Sequence, residues 1–178
     1  MSSVAAADLW DAIARDASAE SSLWRDALRP DAERKPVFSR LGEDRFALGL
    51  ETIYEGYLVH YGSPRLFAPP DADTALLLGD YLYAHGLVRI ASNGTVGAVG
   101  DLSELISLCS QLRAEAATGD GSLWAATAAR LGAGELDDAR AALRLRGDVR
   151  ALDAAARAAA GDEAVERALA AHAERFRA

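Results

Sequence analysis

The chain has 178 residues, a length suited to one domain with a real core. Its net charge of −8 excludes a nucleic-acid partner, because phosphate binding needs a basic face. A single cysteine, Cys109, excludes an internal disulfide and any cysteine-rich metal site.

Alanine dominates and β-branched residues are few, which favours helix. The first 44 residues read as two short amphipathic helices and a loop. Residues 3–16 carry Leu9, Trp10 and Ile13 at helical spacing, and residues 19–28 repeat the pattern with Leu23 and Trp24 before Pro30. Asp31 to Asp44 is charged, contains Pro36 and Gly42, and reads as a mobile loop. The N-terminus has early acids and no basic lead, so no signal peptide is expected. Nor is there an apolar run of about 18 residues that would span a membrane. A cytoplasmic location follows as the expectation.

Residues 45–118 form the central unit. A helix is predicted from near Arg45 to His60, stopped by Tyr61-Gly62-Ser63-Pro64. Glu51 and Glu55 are four apart and share one face of it, an acidic edge on the bundle. Asp71 is placed to cap the next helix, and Ser92-Asn93-Gly94 ends it. From Asp73 to Ile90 this helix is apolar nearly all round, the pattern of a helix wrapped by others. Asp80, inside that run, is expected to hydrogen-bond a neighbour and fix packing. Thr95 can cap a further helix, in which Val99, Leu102, Ile106 and Cys109 form one seam. Residues 119–178 are rich in Ala and Arg and break at glycines, giving helices near 122–132, 135–145, 148–160 and 162–176. Asp148 and Asp162 are placed as caps, and the shortage of large apolar residues suggests loose or peripheral packing. No period-two strand pattern appears, so the fold expected is all-α.

Chemistry-bearing residues cluster in the central unit. Glu51 and Glu55 can bind one Mg²⁺ together with a ligand phosphate, although most acidic pairs at this spacing are solvated helix faces. Tyr54, Tyr57, Tyr61, Tyr81 and Tyr83 can line an apolar pocket or pack as core. Arg45, Ser63 and Arg65 can meet a phosphate at the loop. His60 and His85 read as packing or surface histidines. No nucleophile triad, phosphate loop or zinc motif is present.

Glu51-Thr52-Ile53-Tyr54-Glu55-Gly56, His60-Tyr61-Gly62-Ser63-Pro64, Ala75-Leu76-Leu77-Leu78-Gly79-Asp80-Tyr81-Leu82-Tyr83-Ala84 and Leu102-Ser103-Glu104-Leu105-Ile106 occur in this order along the chain. This order resembles the class I trans-polyprenyl diphosphate synthases, over about residues 45–116. Those proteins carry an aspartate-rich motif and glycine, an arginine-glycine turn, and a helix with Gly-Asp. The resemblance implies an isoprenoid-synthase-like helical bundle, reduced in size and typically dimeric. It makes Glu51 and Glu55 the metal candidates, with Arg65, Tyr54, Asp80 and Tyr83 as candidates for a diphosphate or its pocket. The departures are specific. Thr52 stands where the family has an aspartate, and His60 and Tyr61 replace the two arginines. Asp137-Asp138 lacks the third acid of a second motif, and the glycine-glycine-lysine site is missing. The expected function is therefore a non-catalytic or accessory relative in isoprenoid metabolism, a homodimer or a heteromer with a catalytic synthase subunit. Two alternatives stand beside it: a small Mg²⁺-dependent enzyme or binder acting on a prenyl diphosphate, and a plain helical interaction module.

Overall fold

The computed structural model of the chain describes residues 3–93 and 95–177, with side chains from residue 9 onward. The described residues form an all-α bundle without strands; their one β-type contact is an isolated antiparallel bridge between Leu28 and Phe67. No helix among them is long and apolar enough to cross a membrane.

Helix α1 (Ser3–Glu20) is followed at once by α2 (Ser22–Asp26), which Ser21 caps by accepting from Leu23 N. Trp10, Ile13, Ala17 and Trp24 anchor the pair in a small core with Phe67, Leu78 and Leu82. α2 ends well before Pro30, because Leu28 leaves the helix to pair with Phe67. The charged stretch after it is pinned rather than loose. It holds 3₁₀ turns at Ser39–Leu41 and Asp44–Phe46, and it buries Val37, Phe38 and Leu41 in the main core. Gly42 lets it lie against the backbone of residue 128, where a Cβ would overlap the Ala128 carbonyl oxygen.

Helix α3 (Ala47–Tyr61) is the centre of the molecule: every residue from Gly49 to Val59 is buried. It packs antiparallel on α4 (Ala72–Asn93), and glycines set their approach. Gly49 faces Gly86 and Gly56 faces Gly79, seven residues apart on each helix. A Cβ at Gly56 would lie 3.0 Å from the Gly79 carbonyl oxygen, and one at Gly86 would lie 3.1 Å from that of Gly49. Only glycine permits backbones this close. The expectation of a wrapped helix at 73–90 falls one helix too late. α4 buries a single stripe, Leu78, Gly79, Leu82, Gly86 and Ile90, and leaves Leu76, Leu77 and Val88 56–61% exposed.

Asp71 accepts from Thr74 N at 2.7 Å and Thr95 from Ala98 N at 3.3 Å, so both caps form where the sequence places them. Helix α5 (Val96–Ala114) buries Leu102, Leu105, Leu108, Cys109 and Leu112. Of the seam at 99–109, Leu102 and Cys109 are core, while Val99 and Ile106 are half-buried beside it. Helices α6 (Asp120–Ala129), α7 (Asp137–Arg146), α8 (Arg150–Ala160) and α9 (Asp162–Glu174) complete the chain. They pack more closely than their composition suggests. α6 is an alanine-rich spine around Leu123 and Trp124, and Leu152, Ala156, Val165 and Ala168 close on it through short side chains. Asp148 accepts from Arg150 N at 3.0 Å; Asp162 lies inside the first turn of α9, and Gly161 takes the cap position. Asp101 joins α5 to α7 through buried Arg140 at 3.0 Å and to the turn at Gly132 N.

Candidate functional site

Glu51 and Glu55 do share one face of α3, and that face is sealed. Both carboxylates are fully buried, and Arg65 lies between them with its side chain equally closed off. Arg65 Nη1 donates to Glu51 Oε2 at 2.5 Å and Nε donates to Glu55 Oε2 at 3.0 Å. The other two oxygens take backbone donors. Glu51 Oε1 accepts from Val37 N and Ser39 N, both at 3.0 Å. Glu55 Oε1 accepts from Arg65 N and Leu66 N at 2.8 and 2.7 Å. The guanidinium also donates to the Lys35 and Glu51 carbonyls and lies over the rings of Trp10 and Tyr54, 4.5 and 4.8 Å from their centroids. Burial alone would lower the Arg65 pKa; the two carboxylates outweigh it, and the net direction is upward.

This arrangement ties four segments to one point: α1 through Trp10, the 33–39 loop, α3, and the turn after it. Every carboxylate oxygen has a protein donor, so the acids do not form the open edge expected from the sequence, nor a solvated face. The donor set does not fit Mg²⁺. Among the described residues, no group of three or more His, Cys, Asp or Glu side chains is placed to share a metal ion. Thr52, at the position of a family aspartate, accepts a hydrogen bond from Arg89, which also reaches Asp16 of α1 at 2.6 Å.

The remaining sequence candidates disperse. Tyr54 is buried beneath Arg65, and its hydroxyl meets His172 Nδ1 at 2.9 Å. Asp80 is exposed on α4 and pairs with His60 Nε2 at 3.2 Å, while Tyr83 packs on the His60 ring. Asp80 thus meets a neighbour's imidazole from the surface rather than from inside a packed helix. Burial lowers the His60 pKa, with Asp80 opposing it. Arg65, proposed for a diphosphate, has a fully buried side chain and no guanidinium to offer one.

A second buried network lies on another side of α3, around Tyr54 and Tyr57, and no local spacing marks it. Asp120 Oδ2, at the start of α6, accepts from the Tyr57 hydroxyl at 2.6 Å, from His172 Nε2 at 3.0 Å, and from Arg113. Arg113 Nε donates to the Tyr57 oxygen at 2.7 Å. The His172 ring thus bridges the two elements, with Nδ1 toward the Tyr54 hydroxyl and Nε2 toward Asp120. Burial pushes the Tyr54 and Tyr57 pKa values up, so both hydroxyls stay protonated donors. Phe38, Trp124 and Phe176 pack around the imidazole and the tyrosines. Apart from Arg113 and Asp120, which are 7 residues apart, the partners are 52 to 118 residues apart, beyond the reach of any local spacing rule.

Burial alone would raise the Asp120 pKa. The hydrogen bonds from His172 and Tyr57 and the nearby positive charge overcome that, and the carboxyl sits well below its ordinary value of 3.8. A depressed carboxyl contributes stability above the unfolded-state pKa and loses it as pH falls through the folded value. Denaturant unfolding at stepped pH should therefore show stability dropping below about pH 4. In Asp120→Asn that part of the drop should be absent.

Compared with known proteins, the chain matches no family model, no curated protein and no solved structure.

Proposed function

We propose that the chain is a non-catalytic, polyprenyl-synthetase-like protein of isoprenoid metabolism, acting as an accessory helical subunit. One observation carries the non-catalytic half of this reading: all four oxygens of Glu51 and Glu55 are engaged by protein donors. Metal-assisted ionisation of an allylic diphosphate needs carboxylates open to Mg²⁺ and ligand. Here the acids hold Arg65 and the loop instead. The antiparallel α3–α4 pair, with its facing glycines, is in keeping with the family's helix order around the acidic and Gly-Asp motifs.

The accessory half rests on α4. Leu77, Ala84, Val88 and Ala91 are exposed along one side of it, with Leu76 beside them and Asp80 among them. Exposed apolar helix faces mark contacts with another chain. The partner this reading names is a catalytic synthase subunit.

Two measurements test the reading. Thermal melting with geranylgeranyl diphosphate, with and without Mg²⁺, should show no Mg²⁺-dependent rise. A Mg²⁺-dependent rise that disappears in Glu51→Gln/Glu55→Gln would favour the enzyme or binder instead. Co-purification from the native host should recover a full-length synthase, and Leu77→Asp should lose it. Recovery of no synthase would leave the plain interaction module.

A further inference from the structure

A cleft of about 590 Å³ separates the 33–41 loop from α9, a volume typical of small-molecule sites. Its lining has two characters. Val37 and Leu41 from the loop face Ala164, Ala168 and Ala171, which lie on one side of α9 at spacings of four and three. Around this apolar floor stand Lys35, Arg40, Arg167 and Arg175, against Glu33 and Glu174 alone. Four bases to two acids is a local excess opposite in sign to the chain's net charge of −8.

These cations are not all neutralised within the protein. Glu33 serves two of them, Arg175 at 2.5 Å and Lys35 at 3.3 Å. Arg167 reaches only Glu163, one turn back and exposed. Arg40 has no acidic partner among the described residues. Arg175 also keeps a buried Nε without a hydrogen-bond partner. The loop wall is also held in place. Val37 N and Ser39 N donate to Glu51, and the Lys35 carbonyl accepts from Arg65. A wall fixed beforehand lowers the ordering cost of binding.

We propose that this cleft binds an amphipathic organic anion, with a phosphate or carboxylate head at the arginine rim and a short alkyl body on the alanine floor. No aromatic side chain lines it, so a nucleobase has nothing to stack on. The site is distinct from the Glu51 and Glu55 carboxylates and needs no metal, and it does not depend on the accessory-subunit reading.

The test is an amide NMR titration of the full chain, without Mg²⁺, using octyl phosphate, inorganic phosphate and octanol as separate probes. Octyl phosphate should shift amides in 35–41 and 164–175 saturably, and bind at least about tenfold more tightly than either simpler probe. Arg40→Glu/Arg167→Glu changes two exposed side chains that hold no other element in place. It should weaken octyl phosphate by about tenfold or more with an unchanged melting temperature. Decanoate run in parallel names the head group: equal affinity assigns any compact anion, and weaker binding assigns phosphate. Shifts outside the cleft, inorganic phosphate matching octyl phosphate, or unchanged affinity in the double variant would each overturn the proposal.

Discussion

Arg65→Met should lower the unfolding free energy by about 3–5 kcal/mol, the cost of leaving buried charges without their partner. Methionine keeps much of the volume and removes only the cation. Glu51 and Glu55 would then face each other from α3 with no water and no positive charge nearby, held only by backbone N–H groups. Trp10 and Tyr54 would also lose the guanidinium stacked on them, which loosens α1 from the rest. Against a total stability of about 5–15 kcal/mol, such a loss brings the protein close to unfolding at room temperature. Urea titration at neutral pH checks it. A loss under about 1 kcal/mol would mean the cluster is as weak as an exposed ion pair.

Gly86→Ala and Gly100→Ala are the same substitution in two helices, and they should move stability in opposite directions. At Gly100, exposed on α5, an added Cβ meets nothing within 4 Å. There the better helix propensity of alanine should add about 0.5–1 kcal/mol. At Gly86 the Cβ would overlap Ile53, which is fully buried, and press on the Gly49 carbonyl at 3.1 Å. Overpacking of about 1–3 kcal/mol then exceeds the propensity gain, with further loss if α3 and α4 separate along their length. Melting curves of the two variants against the parent give both signs in one experiment.

Much of the helical layout was legible because helix ends are local. Asp71 and Thr95 cap where their side chains reach the third amide onward, and Gly62 stops α3 after the chain leaves helical geometry. Which helix lies at the centre was not legible. Glu51 and Glu55 made 47–61 look like a surface helix, since their counter-charge arrives 10 and 14 residues later, from beyond a turn. Conversely α4 looked wrapped because its outward residues Leu76, Leu77 and Val88 are apolar; composition does not say which side faces solvent. The 31–44 stretch looked mobile from its charges, yet Val37 and Phe38 enter the core between them and its amides end on Glu51. The four glycines at 49, 56, 79 and 86 carry no signal in the sequence of either helix alone. Only the pairing of two helices turns them into a contact surface. Asp120 and His172 were missed for the same reason: each is ordinary in its own helix, and they gain meaning from each other and from Tyr54 and Tyr57 of α3.

The central claim is that Glu51 and Glu55 exist to hold Arg65, and the loop with it. It is tested most directly by comparing Arg65→Met with Arg65→Met/Glu51→Gln/Glu55→Gln in urea at neutral pH. Glutamine keeps an acceptor for the backbone amides and removes the two stranded charges. The triple variant should recover about 2 kcal/mol or more of what the single one loses. If the triple variant is less stable than Arg65→Met alone, the acids have another partner and the account is contradicted.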